Sequence, residues 1–209
     1  MTTISRIEET CAACGKNSKR TELNSTNTIE AMDLDTRPGE MMRSTMGLWV
    51  AECPHCGYAA KSLDQPPICG KEFLDTPEYK EFTDAPPKSK LAMRFIKKAR
   101  ISEKAGKCVE AFLDYLHAAW DSDDCRDEVW MTQARLRALE MMDRFSEREM
   151  NDDRRILRAD LLRKTRQFDR LAREYGNMRL ENEFLSKILS FELQLAAKGD
   201  AGTYRVDQV

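Results

Sequence analysis

Four of the seven cysteines in this 209-residue chain fall in two copies of one spacing, Cys11-Ala12-Ala13-Cys14-Gly15 and Cys53-Pro54-His55-Cys56-Gly57. A C-x2-C turn aims two sulfurs the same way, and the glycine after it supplies the positive φ that such a turn needs. Two pairs together offer one zinc ion a tetrahedron of soft thiolates and leave no position for water. That is the chemistry of a structural site, not of a hydrolytic one. The metal ligands read from the sequence are therefore Cys11, Cys14, Cys53 and Cys56, holding one structural Zn. The arm from Gly15 to Glu52 is longer than a compact ribbon needs, but doubling a loop costs only about 0.6 kcal/mol. Zinc binding is worth roughly 10–16 kcal/mol in small metal-dependent folds.

Other readings of the cysteines fit less well. A thioredoxin-like redox motif places one C-x2-C at a helix start inside a βαβ unit, and neither pair has that setting. Disulfides suit an exported chain, whereas the start Met1-Thr2-Thr3-Ile4-Ser5-Arg6 has no apolar signal core and the cysteine count is odd, so a reducing cytoplasm is expected. With four thiolates at hand, His55 reads as a solvent-facing knuckle residue.

Elsewhere the material for catalysis is thin. The only histidines are His55 and His117. Cys69, Cys108 and Cys125 lie outside the pairs and read as packing or idle thiols. The acidic Asp121-Ser122-Asp123-Asp124 lacks the alternating ligands and glycine of a calcium loop. It reads as a helix-to-helix turn in which Asp124 caps the following helix. No phosphate-cradling glycine loop occurs. A non-enzymatic protein is expected.

These residues need two kinds of scaffold. Short β-like segments, Thr2–Arg6, Lys19–Leu23 and Gly47–Ala51, flank the knuckles, and the polar stretch from Asn24 to Met46 reads as a loop, mobile or partner-touching. This gives a zinc ribbon over 1–62. A connector over 63–88 carries Gln65-Pro66-Pro67, Thr76-Pro77 and Ala85-Pro86-Pro87, which forbid a continuous helix. Its Ile68, Phe73, Leu74, Tyr79 and Phe82 argue that it docks. Over 89–198 the apolar period becomes helical: Leu91, Phe95, Ile96 and Ala99 on a helix closed by Gly106; Phe112, Leu116, Ala119 and Trp120; Val129, Trp130, Ala134, Ala138 and Met141; Ile156, Leu157, Leu161 and Leu162; Phe168, Leu171 and Tyr175; and Phe184, Leu185, Ile188, Phe191 and Leu195. Residues 199–209 form a C-terminal tail.

Within the helices, Phe95, Ala99, Gly106, Ala111, Tyr115 and Ala118 match several points of the tetratricopeptide pattern, and a weaker echo runs from Ala159 through Phe168 to Tyr175, although Tyr115 and Tyr175 are 60 residues apart, not the 34 of tandem repeats, and ordinary core packing explains the same residues equally well. The fold class expected is mainly α with a small β part: a two-knuckle, four-cysteine zinc ribbon followed by a tetratricopeptide-like helical array.

Charge sets the remaining limits. The chain holds 34 Lys+Arg against 36 Asp+Glu, without the basic excess of a typical nucleic-acid binder. No apolar run approaches a membrane span. One local basic stretch, Lys88 to Lys107, is a candidate anion-binding face, although it reads more readily as the solvated side of an amphipathic helix, with no aromatics interleaved for base stacking.

Trp49-Val50-Ala51-Glu52-Cys53-Pro54-His55-Cys56-Gly57-Tyr58-Ala59-Ala60, a hydrophobic strand running into a CPxCGY-type knuckle, resembles the uncharacterised bacterial domain family numbered 2225, and Leu189 to Asp200 is similar to that family's closing stretch. The resemblance implies an N-terminal two-knuckle zinc ribbon with tetratricopeptide-like helices, and no reaction. The function expected is that of a zinc-binding adaptor whose helical grooves receive a protein or peptide partner. The alternative is a nucleic-acid-associated factor using Lys88 to Lys107.

Overall fold

The structure, a computed structural model, describes residues 1–82 and 85–209; Thr83 and Asp84 of the connector lie outside it. Two antiparallel pairs of strands form the amino-terminal part. β1 (Thr3–Thr10) pairs with β2 (Asn17–Ser25), and β3 (Ala51–Glu52) pairs with β4 (Ala59–Ala60). Helices make up about half of the chain: α1 (Pro77–Lys80), α2 (Lys90–Lys104), α3 (Cys108–Asp124), α4 (Glu128–Met142), α5 (Asp152–Lys164), α6 (Phe168–Tyr175) and α7 (Glu183–Ala197). Among the described residues no helix is long and apolar enough to cross a membrane.

The strand expected over Gly47–Ala51 is a 3-10 turn, Arg43–Leu48, and pairing begins only at Ala51. The Trp49 indole N–H donates to Thr45 Oγ1 at 3.0 Å, and Met46 and Val50, four residues apart, are both buried. That spacing belongs to a turn of helix. The apolar letters Leu-Trp-Val imitated a strand.

Helix boundaries follow from side chains in the sequence. Ser89, Asp127, Asn151 and Asn182 each accept a backbone N–H from the first turn of α2, α4, α5 and α7. Four helices also end alike. Gly106, Arg126, Arg166 and Gly199 take φ of 72°, 49°, 58° and 69°. The next N–H reaches back to the carbonyl of Ser102 (2.8 Å), Ser122 (2.9 Å), Leu162 (2.8 Å) and Leu195 (3.0 Å). These are Schellman closures, two of them built with arginine where glycine is the easier residue.

The acidic run is not a turn. Asp121 to Asp124 form the last turn of α3, and Asp127 caps α4 in place of Asp124. Asp121 accepts the Ala92 N–H at the start of α2 (2.9 Å), Asp123 holds Arg135 (2.5 Å) and Asp124 pairs with Arg37.

α3 packs between α2 and α4, and Phe95, Phe112, Leu116, Trp120 and Leu139 are buried there. A second cluster joins Cys11, Cys53 and Tyr58 to Leu63, Phe73, Leu74 and Tyr79 of the connector and Ile101 of α2. The connector thus docks as its aromatics suggested, with Ile68 the exception at 60% exposure.

The stretch Asn24–Met46 departs most from expectation. Asp33, Leu34, Asp35 and Arg37 are buried. The Lys164 ammonium lies 2.6 Å from Asp35, Arg43 lies 2.8 Å from Asp33, and the Leu34 N–H donates to the Tyr204 carbonyl at 2.8 Å. Fully buried Arg163 donates to the Gly202 carbonyl at 2.8 Å and fixes the segment after α7. The loop is a strap across the helices, and residues 199–206 are not a loose tail.

Candidate metal centre

The two knuckles are built alike. Cys11 N–H donates to Lys16 O (3.0 Å) and Gly15 N–H to Cys11 O (2.7 Å). Cys53 N–H donates to Tyr58 O (2.8 Å) and Gly57 N–H to Cys53 O (2.9 Å). Gly15 and Gly57 both sit at φ 74°, the left-handed conformation that turns the chain after the second cysteine. β1 and β2 carry the first knuckle at their tip, and β3 and β4 carry the second.

The knuckles bring all four predicted residues together. The ligand atoms of Cys11, Cys14, Cys53 and Cys56 lie within 4.8 Å of one another. Across the knuckles Cys11 Sγ is 3.8 Å from Cys56 Sγ, and Cys14 Sγ is 3.7 Å from Cys53 Sγ. A disulfide needs about 2.05 Å. Four sulfurs placed 2.3 Å from one centre at tetrahedral angles lie about 3.8 Å apart. The donor set and its spacing fit a tetrahedral metal ion with no open position.

The thiols differ in environment. Burial raises the pKa of Cys11 and Cys56, while the Lys16 N–H, donating to exposed Cys14, brings that thiol down to about 7. A bound ion must displace these protons, so its hold weakens in acid. His55 is exposed, with Nε2 3.2 Å from Asn17 O.

The other cysteines and His117 stand apart from this cluster. His117 is ringed by Trp49, Phe95 and Trp120 at centroid distances of 5.2, 5.1 and 4.9 Å. Its buried Nδ1 has no hydrogen-bond partner, and burial, aided by Lys98, pushes its pKa down to about 3. Burial also raises the Cys69 thiol, the reverse of what an activated thiolate needs. Cys108 is half-buried at the first position of α3, and Cys125 is exposed.

The basic stretch Lys88 to Lys107 is largely turned to internal use. Lys97 and Arg94 meet Glu52, at 2.5 and 3.5 Å, and Lys98 meets buried Asp114 at 2.6 Å. Lys104 meets Glu78 (3.3 Å), and Arg100 donates to the carbonyls of Tyr79 and Glu81. These cations tie α2 to the knuckles, to α3 and to the connector. Lys88, Lys90, Lys104 and Lys107 stay exposed, so the solvated face read from the sequence holds for half of the stretch.

Sequence reading missed a cleft of about 350 Å³ between α2 and α4, lined by Ile96, Arg100, Tyr115, Trp130, Gln133 and Arg137 and roofed by the connector. Trp130 anchors the roof by donating to Ala85 O at 2.8 Å, with Phe82 packed edge-on against it.

Fold and site together define a four-cysteine, metal-competent module docked on a helical array. Neither the family models, nor the curated proteins, nor the solved structures compared with this chain match it.

Proposed function

We propose that this chain is a non-enzymatic zinc protein that works as an adaptor, in the architecture of domain family 2225. The observation that carries the zinc reading is the pair of 3.7 and 3.8 Å sulfur separations, which suit a closed Zn(Cys)4 tetrahedron and no disulfide. The ion acts as a clasp. It holds the β1–β2 hairpin against β3–β4, and through Cys11 and Cys53 it completes the core shared with the connector.

The tetratricopeptide-like reading is supported by two helix pairs, α2–α3 and α5–α6. Each has alanine at the close-packing position (Ala99, Ala159), a Schellman turn seven residues on and a buried tyrosine nine beyond that (Tyr115, Tyr175). In such an array the groove between alternate helices receives peptides. Here that groove is the α2–α4 cleft, where Arg137 and Gln133 are exposed to a ligand. The cytoplasm, where thiols stay reduced, is the compartment this chemistry suits. Pairing of Arg94, Lys97 and Lys98 within the chain leaves Lys88, Lys90, Lys104 and Lys107 as the exposed cations, a smaller basic face than the nucleic-acid alternative drew on.

Metal analysis of the purified chain tests the first half: one zinc per chain is expected, lost in Cys53→Ser. Purified chain free of metal, or carrying iron, overturns it. Selection from a random peptide library tests the second. Selected peptides are expected to lose binding to Arg137→Glu, and binding that ignores this substitution overturns the cleft.

A further inference from the structure

β1 and β2 form a sheet of only two strands, so each has an edge without a strand beside it among the described residues. Among the described residues no backbone hydrogen bond from outside the hairpin reaches Thr3–Thr10; the first lies beyond it, from Ala12 N–H to Leu63 O at 2.7 Å. A free edge of this length is a template for another strand unless proline, inward lysine or a central bulge blunts it. β1 has no proline, lysine or central bulge, and its one inward charge, Glu9, is neutralised by Arg20 at 2.8 Å. Its only irregularity is a register shift at the Thr3/Ile4 end.

The side chains on this edge are informative. Ile4, Arg6, Glu8 and Thr10 alternate onto one face and Ser5, Ile7 and Glu9 onto the other. Arg6 and Glu8 are exposed and make no ion pair among the described residues, whereas Glu9 on the opposite face holds Arg20 at 2.8 Å. Ile4 is 58% exposed. One face thus carries an unused cation, an unused anion two residues away and an uncovered apolar side chain.

A second β1 laid antiparallel about a two-fold axis through Ile7 answers all three. Arg6 then stands opposite Glu8 of the second copy, and Glu8 opposite its Arg6. Ile7 meets Ile7, and Ile4 meets Thr10. A register moved by two residues sets Arg6 against Arg6 or Glu8 against Glu8, while a shift by one turns every side chain to the wrong face. We propose that two copies of this chain pair through the β1 edges in this register, making a continuous four-stranded sheet, β2–β1–β1–β2. The interface is isologous, as a two-fold dimer requires, and cross-strand charge complementarity selects its register.

The test uses the full, metal-loaded chain in sedimentation equilibrium, with metal content and circular dichroism checked for every sample so that an unravelled knuckle is not read as a lost interface. The parent chain is expected at twice its 24.1 kDa mass. Arg6→Glu sets glutamates against glutamates, and Glu8→Arg sets arginines against arginines. Each change replaces two attractions by two repulsions and raises the dimer Kd on the order of 10-fold or more. Mixing the two variants restores both pairs, since the first presents two glutamates and the second two arginines, so a heterodimer forms with the parental Kd. A parent chain that stays monomeric, single variants that dimerise like the parent, or a mixture no tighter than its components each overturns the proposal.

Discussion

Asp35→Ala is the substitution that tests the strap most sharply. Asp35 is 1% exposed, with Lys164 Nζ at 2.6 Å and Arg135 Nη2 at 3.6 Å, and both cations are almost as deeply buried. Removing one partner of a buried ion pair costs about 3–5 kcal/mol, because the charge left behind cannot regain water. Arg135 keeps Asp123 at 2.5 Å and Lys164 keeps Asp160 at 3.9 Å, which places the loss at the lower end, about 3 kcal/mol. For a chain of this length that corresponds to a fall in Tm of roughly 6–12 °C.

The acid limb of stability gives an independent readout. Burial alone raises the Asp35 pKa, but Lys164 and Arg135 outweigh it and hold the carboxyl at about 2, against an ordinary 3.8. A carboxyl depressed on folding contributes stability that is fully present above pH 4 and drains away as pH falls toward 2. Glu9, also held at about 2 by Arg20 and Ser62 against the effect of its burial, shapes the same limb. The difference between parent and Asp35→Ala isolates Asp35. Calorimetry across pH 2 to 7 is the assay, with a double-mutant cycle against Lys164→Met. A Tm loss equivalent to less than about 1 kcal/mol, or a coupling energy near zero, refutes the strap as a stabilising element.

Gly106→Ala is expected to lower stability by about 1 kcal/mol, because a Cβ there meets no atom within 4 Å and only the left-handed backbone resists it. Arg166→Gly, at the same turn position of α5, is expected to raise stability by a few tenths of a kcal/mol up to about 1; urea titration of both variants reads the two signs. In metal-loaded protein Cys11, Cys14, Cys53 and Cys56 are expected to resist iodoacetamide at pH 7 while exposed Cys125 reacts, and stripping the metal is expected to open all four to alkylation. Mass mapping of the alkylated peptides decides it. A chelator strong enough to take zinc from four thiolates is expected to expose Tyr58 and Tyr79, which pack beside Cys11 and Cys53, and to raise their access to chemical modification.

The four cysteines were legible because a ligand pair leaves its spacing in the local sequence. The long helices were legible for the same reason: Phe95, Ile96 and Ala99, or Phe112, Leu116 and Ala119, repeat at helical period within a few residues. The strap was not, because reading along the chain equates charge with exposure. Asp33, Asp35, Arg37 and Arg43 look like a solvated loop until their partners are known, and Asp124 lies 87 residues from Arg37 and Lys164 lies 129 from Asp35. The acidic end of α3 failed likewise. Asp121, Asp123 and Asp124 resembled a turn when isolated, and each is the counter-charge or cap of a different element. The basic stretch was misjudged only in part: Glu52 and Asp114, which hold Arg94, Lys97 and Lys98, lie far along the chain, while Lys88, Lys90, Lys104 and Lys107 are exposed as read. The α2–α4 cleft had no linear signal, being assembled from three helices and the connector.

The pairing of Leu34 with Tyr204 fixes an order of events during synthesis. A ribosome releases the knuckles early, and their cysteines can capture an ion while most of the helices are still unmade. The strap has no seat until Lys164 and then Tyr204 have been made, so it closes later than the knuckles do.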